Sequence, residues 1–294
     1  MPELPEVETI IRSLRNLVDP SNGDLESLTA RPGILGRVVA SVSVLWERSL
    51  AQPSVQEFEN TLPGQKVQTV GRRGKYLVIQ FDSQVMLIHL RMSGDIRVEK
   101  TSANALQKHD RMVLRFTDGR QMVFNDPRKF GRIWLVDQIE EITSKLGVEP
   151  LSDELTGEWL IKKLHATSRR IKPLLLDQSV VAGLGNIYTD EALFLASIHP
   201  LTPAREITAL QAESLLRSIR YVLEEGIRRN GASIDWVYRG GDFQNHFNVY
   251  QRTGEPCKVC GTKIERIVVG QRGTHYCPHC QPYSMTSAGD RSIK

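Results

Sequence analysis

Four cysteines near the C-terminus of this 294-residue chain stand as Cys257-x2-Cys260 and Cys277-x2-Cys280, with 16 residues between the pairs. Two knuckles at that spacing can bring four thiolates onto one tetrahedral zinc ion, as in a zinc ribbon. The alternatives are two disulfides or four free thiols, and nothing else in the chain points to an oxidising compartment. A metal here would pin the hairpin between the pairs, Thr262 to Tyr276, whose tip reads Gly270-Gln271-Arg272-Gly273. Such a turn presents its arginine to a phosphate or another polar substrate.

The rest of the chain is long enough for two domains with cores of their own. The N-terminus has no charged-then-apolar signal pattern, because Glu3, Glu6, Glu8 and Arg12 interrupt its apolar residues. No apolar run reaches the roughly 20 residues that span a bilayer. A cytoplasmic protein without membrane partners is therefore expected. The net charge of +4 is mild, but cations cluster at Arg72-Arg73-Gly74-Lys75, Arg128-Lys129, Arg169-Arg170-Ile171-Lys172 and Arg228-Arg229. Any one cluster can be a solvated face; together with a zinc ribbon they suggest a polyanionic partner.

Periodicity divides the chain. Val7, Ile10, Ile11, Leu14, Leu17 and Val18 share one face of a helix predicted over 5–18, with Pro5 and Glu6 suited to its first turn. Strands are predicted at Val38–Val44, Tyr76–Phe81, Val85–Leu90, Ile96–Glu99, Met112–Phe116, Gln121–Phe124 and Ile133–Val136. Asp118-Gly119 reads as a two-residue hairpin turn with both residues at positive φ. Residues 2–137 are thus expected to form a β-sandwich carrying the N-terminal helix, and 138–152 a linker. Residues 153–235 read as helical, with stretches at 171–180, 187–197 and 206–229 and a stop at Asn230-Gly231. The ribbon occupies 248–282, and the polar segment 283–294 is expected to be a disordered tail. The class is α+β and multidomain.

The chain begins Met1-Pro2-Glu3-Leu4-Pro5-Glu6-Val7-Glu8. Removal of Met1 would leave Pro2 with a free secondary amine, which attacks electrophilic carbon and forms a permanently cationic iminium. Glu3 beside it could serve as general acid or base. From this peptide alone, a proline-rich entry into a capped helix is the simpler account of these residues.

Five blocks in order change the balance. The start Pro2 to Glu8, His89-Leu90-Arg91-Met92-Ser93-Gly94, Asp126-Pro127-Arg128-Lys129-Phe130-Gly131, Gly183-Leu184-Gly185-Asn186-Ile187-Tyr188 and Arg252 through Gln281 resemble the formamidopyrimidine-DNA glycosylase / endonuclease VIII family. The resemblance runs from residue 2 to 281. It implies an N-terminal β-sandwich with a catalytic N-terminal helix, a helix–two-turn–helix domain and a C-terminal zinc ribbon holding one structural zinc ion on Cys257, Cys260, Cys277 and Cys280. It implies a monomeric base-excision-repair DNA glycosylase with abasic-site lyase activity, acting on oxidised purines in damaged double-stranded DNA without a nucleotide cofactor.

By the same resemblance Pro2 is the nucleophile at the sugar C1′ and Glu3 the proton donor that helps to open the sugar. Lys75 contacts phosphate and assists β-elimination, while Arg272 grips phosphates and supports δ-elimination. An everted nucleotide leaves a hole in the duplex. Met92, Arg128 and Phe130 match the residues that fill it, His109 and Arg128 fall at DNA-contact positions, and Asn186 binds phosphate beside the Gly183–Gly185 turn. Read without the resemblance, Lys75 is an edge lysine on a solvated turn and Met92 and Phe130 could be ordinary core, although Phe130, between Lys129 and Gly131 after Asp126-Pro127, sits in loop-like sequence that favours exposure.

Some positions depart from the family pattern. Lys129 replaces a second arginine, and Thr167-Ser168 replaces lysines, so that Arg169 or Arg170 takes that phosphate contact. The loop Tyr238-Arg239-Gly240-Gly241-Asp242-Phe243 differs in length and charge, and the segment 19–32 has no assigned role. Two other readings remain at this point: an endonuclease VIII-like enzyme for oxidised pyrimidines, and a non-enzymatic zinc-ribbon DNA binder, which leaves Pro2 and Glu3 unexplained.

Overall fold

The computed structural model describes residues 1–15, 33–101, 106–233 and 240–283. The end of the first predicted helix, the 19–32 segment, Tyr238 and Arg239, and all of the predicted tail except Tyr283 lie outside the described residues. Two compact units emerge, one of Met1–Leu146 with Glu224–Gln244 and one of Gly147–Leu223 with Asn245–Lys294.

The first unit is a β-sandwich. Among the described residues nine strands carry it: β1 Val39–Val44, β2 Leu50–Gln52, β3 Thr69–Arg73, β4 Tyr76–Gln80, β5 Val85–His89, β6 Asp95–Lys100, β7 Asp110–Phe116, β8 Arg120–Asn125 and β9 Arg132–Val136. One sheet runs β1-β7-β8-β6 and the other β2-β9-β5-β4-β3. Leu77, Ile79, Met86, Ile88, Ile133 and Leu135 from the second sheet share one core with Met112, Leu114, Met122 and Phe124 from the first. Burying each such side chain contributes about 1.5–3 kcal/mol. The outer face of the second sheet is covered as well: Val85, Leu87 and Val136 meet Ile139 and Ile142 around a helical turn at Glu140–Thr143. Both faces of β5 are therefore buried, which is why Val85-Met86-Leu87-Ile88 reads as a continuous apolar run.

Two strands escape the sequence pattern, β2 and β3. Both lie at the edges of their sheet, where one is only three residues long and the other reads Thr-Val-Gly-Arg-Arg without apolar alternation. The β7–β8 turn also differs from expectation. It is a three-residue connection, Thr117-Asp118-Gly119, in which Gly119 (φ +78°) has positive φ and Asp118 does not. Longer loops of this kind use a type I turn ended by one left-handed residue.

The first helix, Leu4–Arg15, buries Leu4, Val7, Ile10, Ile11 and Leu14 on this unit. Its polar side is tied to β3: Glu8 accepts from Arg72 at 2.9 Å and from Arg12 at 3.2 Å, and Arg15 donates to the Val70 carbonyl.

The second unit contains helices Gly157–His165, Ile171–Leu175 and Asn186–Leu195, most of Ala209–Arg228, and a hairpin of β10 Glu265–Val269 and β11 Arg272–Tyr276. The stretch predicted as helix over 171–180 stops after one turn and a half, because Asp177 closes a turn on the amide and hydroxyl of Ser179. The stop after the long helix is as expected, with Asn230 at φ +56° and Gly231 at φ +78°. Among the described residues no helix is long and apolar enough to cross a membrane. The fold is α+β: a β-sandwich, a helical segment and a C-terminal four-cysteine module.

Candidate active site and metal centre

The N-terminal peptide is built into the sandwich unit. Met1 is exposed while Pro2, Glu3 and Glu6 are buried. Glu6 is the reason the chain can start a helix there. Its Oε2 accepts the Glu3 N–H at 2.7 Å, satisfying an amide that the helix leaves without a carbonyl. Its Oε1 accepts the Ala232 N–H at 2.8 Å, so that one carboxylate joins the first residues to the segment after the long helix. Gly231 makes this approach possible: a Cβ there would lie 2.7 Å from Glu6 Oε1, at a left-handed φ.

Lys75 is buried at 6% exposure, so it is not a solvated edge lysine. It follows Gly74, whose φ of +56° gives the tight β3–β4 turn its first central residue. Beside it stands His89, a residue whose motif the sequence shows but whose part it does not. Tyr76 and His89 are cross-strand partners, with their rings edge to face at 4.8 Å. Burial holds the His89 pKa down to about 3, and the Arg91 and Lys75 cations reinforce the effect. The ring is neutral. Its Nδ1 accepts the Arg91 N–H at 3.0 Å, which leaves the Nε2 N–H as the donor. Only the β4–β5 register reveals this neighbourhood.

Met92, Arg128 and Phe130 come from two turns joined by Asp126. The Asp126 carboxylate accepts the Ser93 hydroxyl, the Arg128 N–H at 3.2 Å and the Gly131 N–H at 2.7 Å. Ser93 in turn accepts the Arg128 N–H at 3.2 Å. Met92 is 38% and Phe130 50% exposed, so neither is core. The Arg128 guanidinium lies 5.1 Å above the Phe130 ring. His109 is half-buried with Nδ1 3.4 Å from Arg111, whose Nε donates to the Asp126 carbonyl at 2.8 Å. The arrangement presents one aromatic and two flexible side chains from two turns that Asp126 and Ser93 bond together.

In the second unit, Arg272 is exposed at the start of β11, directly after the turn Gly270-Gln271, both at positive φ. The hairpin is fixed from below by a residue that the sequence suggests is part of a solvated basic cluster. Lys172 is wholly buried, and its ammonium donates to Asp190 at 2.6 Å, Thr274 Oγ1 at 2.8 Å and the Gly273 carbonyl at 3.2 Å. Asp190 also accepts the His275 N–H at 2.9 Å. Asn186 donates its amide to the same Gly273 carbonyl at 2.9 Å, so its side chain braces the hairpin. The neighbouring Glu191 accepts three backbone N–H groups, from Asn248, Val249 and Tyr250, and the Asn248 amide. Burial raises its pKa while those four donors oppose the rise. Arg169 is engaged within the chain, with Asp177 at 2.8 Å and the Pro173 carbonyl at 3.1 Å.

The four cysteine sulfurs lie within 4.8 Å of one another, and none is in a disulfide. Two of the separations are 3.5 Å and 3.9 Å. Tetrahedral Zn–S bonds of about 2.3 Å require sulfurs about 3.8 Å apart. The Val259 and Cys280 N–H groups each point at a knuckle sulfur at 3.4 Å. Hydrogen bonds from Thr262 bring the Cys260 thiol down to about 6, whereas burial raises Cys277 and Cys280. A dication reverses that penalty by binding all four as thiolates. The donor set fits one structural zinc ion.

Comparison with known proteins places the chain in a family. Residues 25–133 match the formamidopyrimidine-DNA glycosylase N-terminal domain, 146–237 its H2TH domain, and 254–282 the zinc finger found in FPG and IleRS. A formamidopyrimidine-DNA glycosylase of Chloroflexus aurantiacus is 42% identical over 289 residues, covering 96% of this chain and 98% of that protein. One from Bacillus licheniformis is 41% identical over 290 residues, covering 96% and 99%. Among solved structures, Lactococcus lactis Fpg with DNA containing an abasic site superposes with a TM-score of 0.84 at 35% identity, covering 96% of this chain and 100% of that one. The Lactococcus lactis complex with DNA containing Fapy-dG gives the same TM-score, identity and coverage.

Proposed function

The chain belongs to the formamidopyrimidine-DNA glycosylase family, and from that membership we propose a base-excision-repair enzyme that removes oxidised purines from duplex DNA and then cleaves the abasic site. The observation that carries the reading is the buried Pro2-Glu3 start, held by Glu6. A proline sealed into a capped helix gains nothing structurally from losing Met1, but chemically it gains a nucleophile.

In this reading the Pro2 nitrogen forms a bond to C1′ as the bond from C1′ to the base breaks and the base leaves with a proton. Glu3 delivers a proton to the ring oxygen, the sugar opens, and the nitrogen lone pair completes an iminium. The iminium acidifies the C2′ hydrogen. Loss of that proton expels the 3′ phosphate, with Lys75 assisting, and a second elimination expels the 5′ phosphate, with Arg272 gripping the strand. Met92, Arg128 and Phe130 occupy the space vacated by the everted nucleotide, at an unstacking cost of about a few kcal/mol. His109, Asn186 and Arg169 contribute to backbone binding; Arg169 does so only by sharing its guanidinium with Asp177. Zinc takes no part in the bond changes. The related complexes with 8-oxo-G and Fapy-dG DNA favour purine lesions over oxidised pyrimidines. Whole-length similarity to glycosylases disfavours a ribbon that only binds DNA. We place the activity in the cytoplasm, on the chromosome, as a single chain.

Borohydride reduction during reaction with an 8-oxoguanine duplex tests this. A covalent adduct at the residue that follows Met1, lost in Pro2→Gly, is expected. Equal trapping by protein that retains Met1 would overturn the amine mechanism.

A further inference from the structure

We propose that Trp46 is a positioning residue for the DNA-entry turn, its indole face fixing the Lys129 ammonium beside Phe130; this rests on the DNA-repair reading above. Lys129 Nζ lies 3.7 Å from the centre of the Trp46 ring, close to the best distance for a cation over an aromatic face. Lys129 also adopts a left-handed backbone, φ +62°, which a non-glycine residue takes only when its surroundings dictate it. That conformation separates the three side chains at the tip. Arg128 folds over the Phe130 ring, whereas Lys129 goes to Trp46.

The platform and the tip are connected by a short strap. The Leu45 and Trp46 N–H groups both donate to the Arg111 carbonyl, at 2.8 and 3.2 Å. The Arg111 side chain donates to the Asp126 carbonyl, and the Asp126 carboxylate holds the turn that carries Lys129. The Trp46 indole N–H is buried and meets no acceptor among the described residues. The contact that the indole makes with Lys129 is through its face, its hydrogen-bonding edge being unused. A lysine beside an aromatic that enters a duplex meets the phosphates flanking the opened step. An unrestrained lysine loses much of its side-chain freedom on making that contact. Here the loss is taken before DNA arrives.

A double-mutant cycle tests the inference through KM and kcat for incision of an 8-oxoguanine duplex. Trp46→Leu should raise KM about fivefold with kcat little changed. Trp46→Phe, which keeps an aromatic face, should recover most of the loss. Lys129→Met should raise KM and lower the salt dependence of binding by about one counterion. Adding Trp46→Leu to Lys129→Met should cost nothing further. Additive losses, or no recovery by Trp46→Phe, would overturn the positioning role and leave the enzyme assignment intact. A wild-type protein that leaves the lesion duplex uncut would overturn the assignment and this inference with it.

Discussion

The two ends of the chemistry are held by different physics. Around the N-terminal helix, a single apolar core runs through both sheets and supports a short polar turn at Pro2, Glu3 and Glu6. The ribbon has almost no such core: Phe194, Val249, Cys257, Ile264 and Cys277 form it, and two of those five are metal-ligand candidates. What replaces apolar area there is coordination, together with the buried Lys172–Asp190 pair and the four donors on Glu191. A region too small to bury enough surface keeps its shape by strong, directional and individually breakable contacts. The sandwich should therefore tolerate single changes by degrees, whereas the ribbon should fail in one step.

The sharpest way to break that contrast is to remove the metal. Cys277→Ser, or chelation, forfeits a structural zinc whose binding is worth about 10–16 kcal/mol in small zinc modules. Incision should fall by at least about a hundredfold while the thermal transition of the sandwich stays in place. Full activity in zinc-free protein would show that the ribbon does not depend on coordination.

Next is Lys172→Met, which strands the Asp190 carboxylate in a buried site. A loss of about 3–5 kcal/mol in the second unit is expected from denaturant unfolding. The double change with Asp190→Leu should recover a substantial part, and failure to do so would assign the cost to packing.

His89 sharpens the sandwich side. Its pKa is about 3 when folded and 6.5 ordinarily, so the unfolded chain binds the extra proton between those values. Stability from this group is complete above pH 6.5 and declines as pH falls toward 3, by about 3 kcal/mol at pH 4. His89→Gln should flatten the pH dependence of unfolding by about one proton between pH 4 and 6. An unchanged slope would mean that the imidazole is not held neutral.

The smallest effect expected is for Gly231→Ala, about 1–2 kcal/mol, from a strained φ and a methyl pressed against Glu6. Melting temperature and kcat should fall together, because the displaced carboxylate is the one that caps Glu3. A variant as stable and active as wild type would separate Glu6 from the segment after the long helix.

Much of the fold was legible because the signals are local. The apolar stripe of the first helix, the alternating strands, the stop at Asn230-Gly231 and the cysteine spacing each depend on residues close in sequence. The strands missed were the short or polar edges β2 and β3, whose pairing comes from neighbours rather than from their own pattern. Asp118 was misread for a related reason, since the turn type follows from the register of β7 and β8 and not from the dipeptide alone. Sequence also misjudged charge. Lys172 sits in a basic cluster yet is fully buried, and its partner Asp190 is 18 residues away.

By itself the sequence determined the four-sulfur metal set, the amine that Met1 covers and the order of the blocks, because each needs only residue identity and spacing. Which carboxylate caps the first helix, that His89 stands neutral beside Lys75, and that Lys129 rests on Trp46 were decided only by tertiary structure. Those depend on distance, burial and the local dielectric, and none of the three exists until strands and turns remote in the chain are brought together.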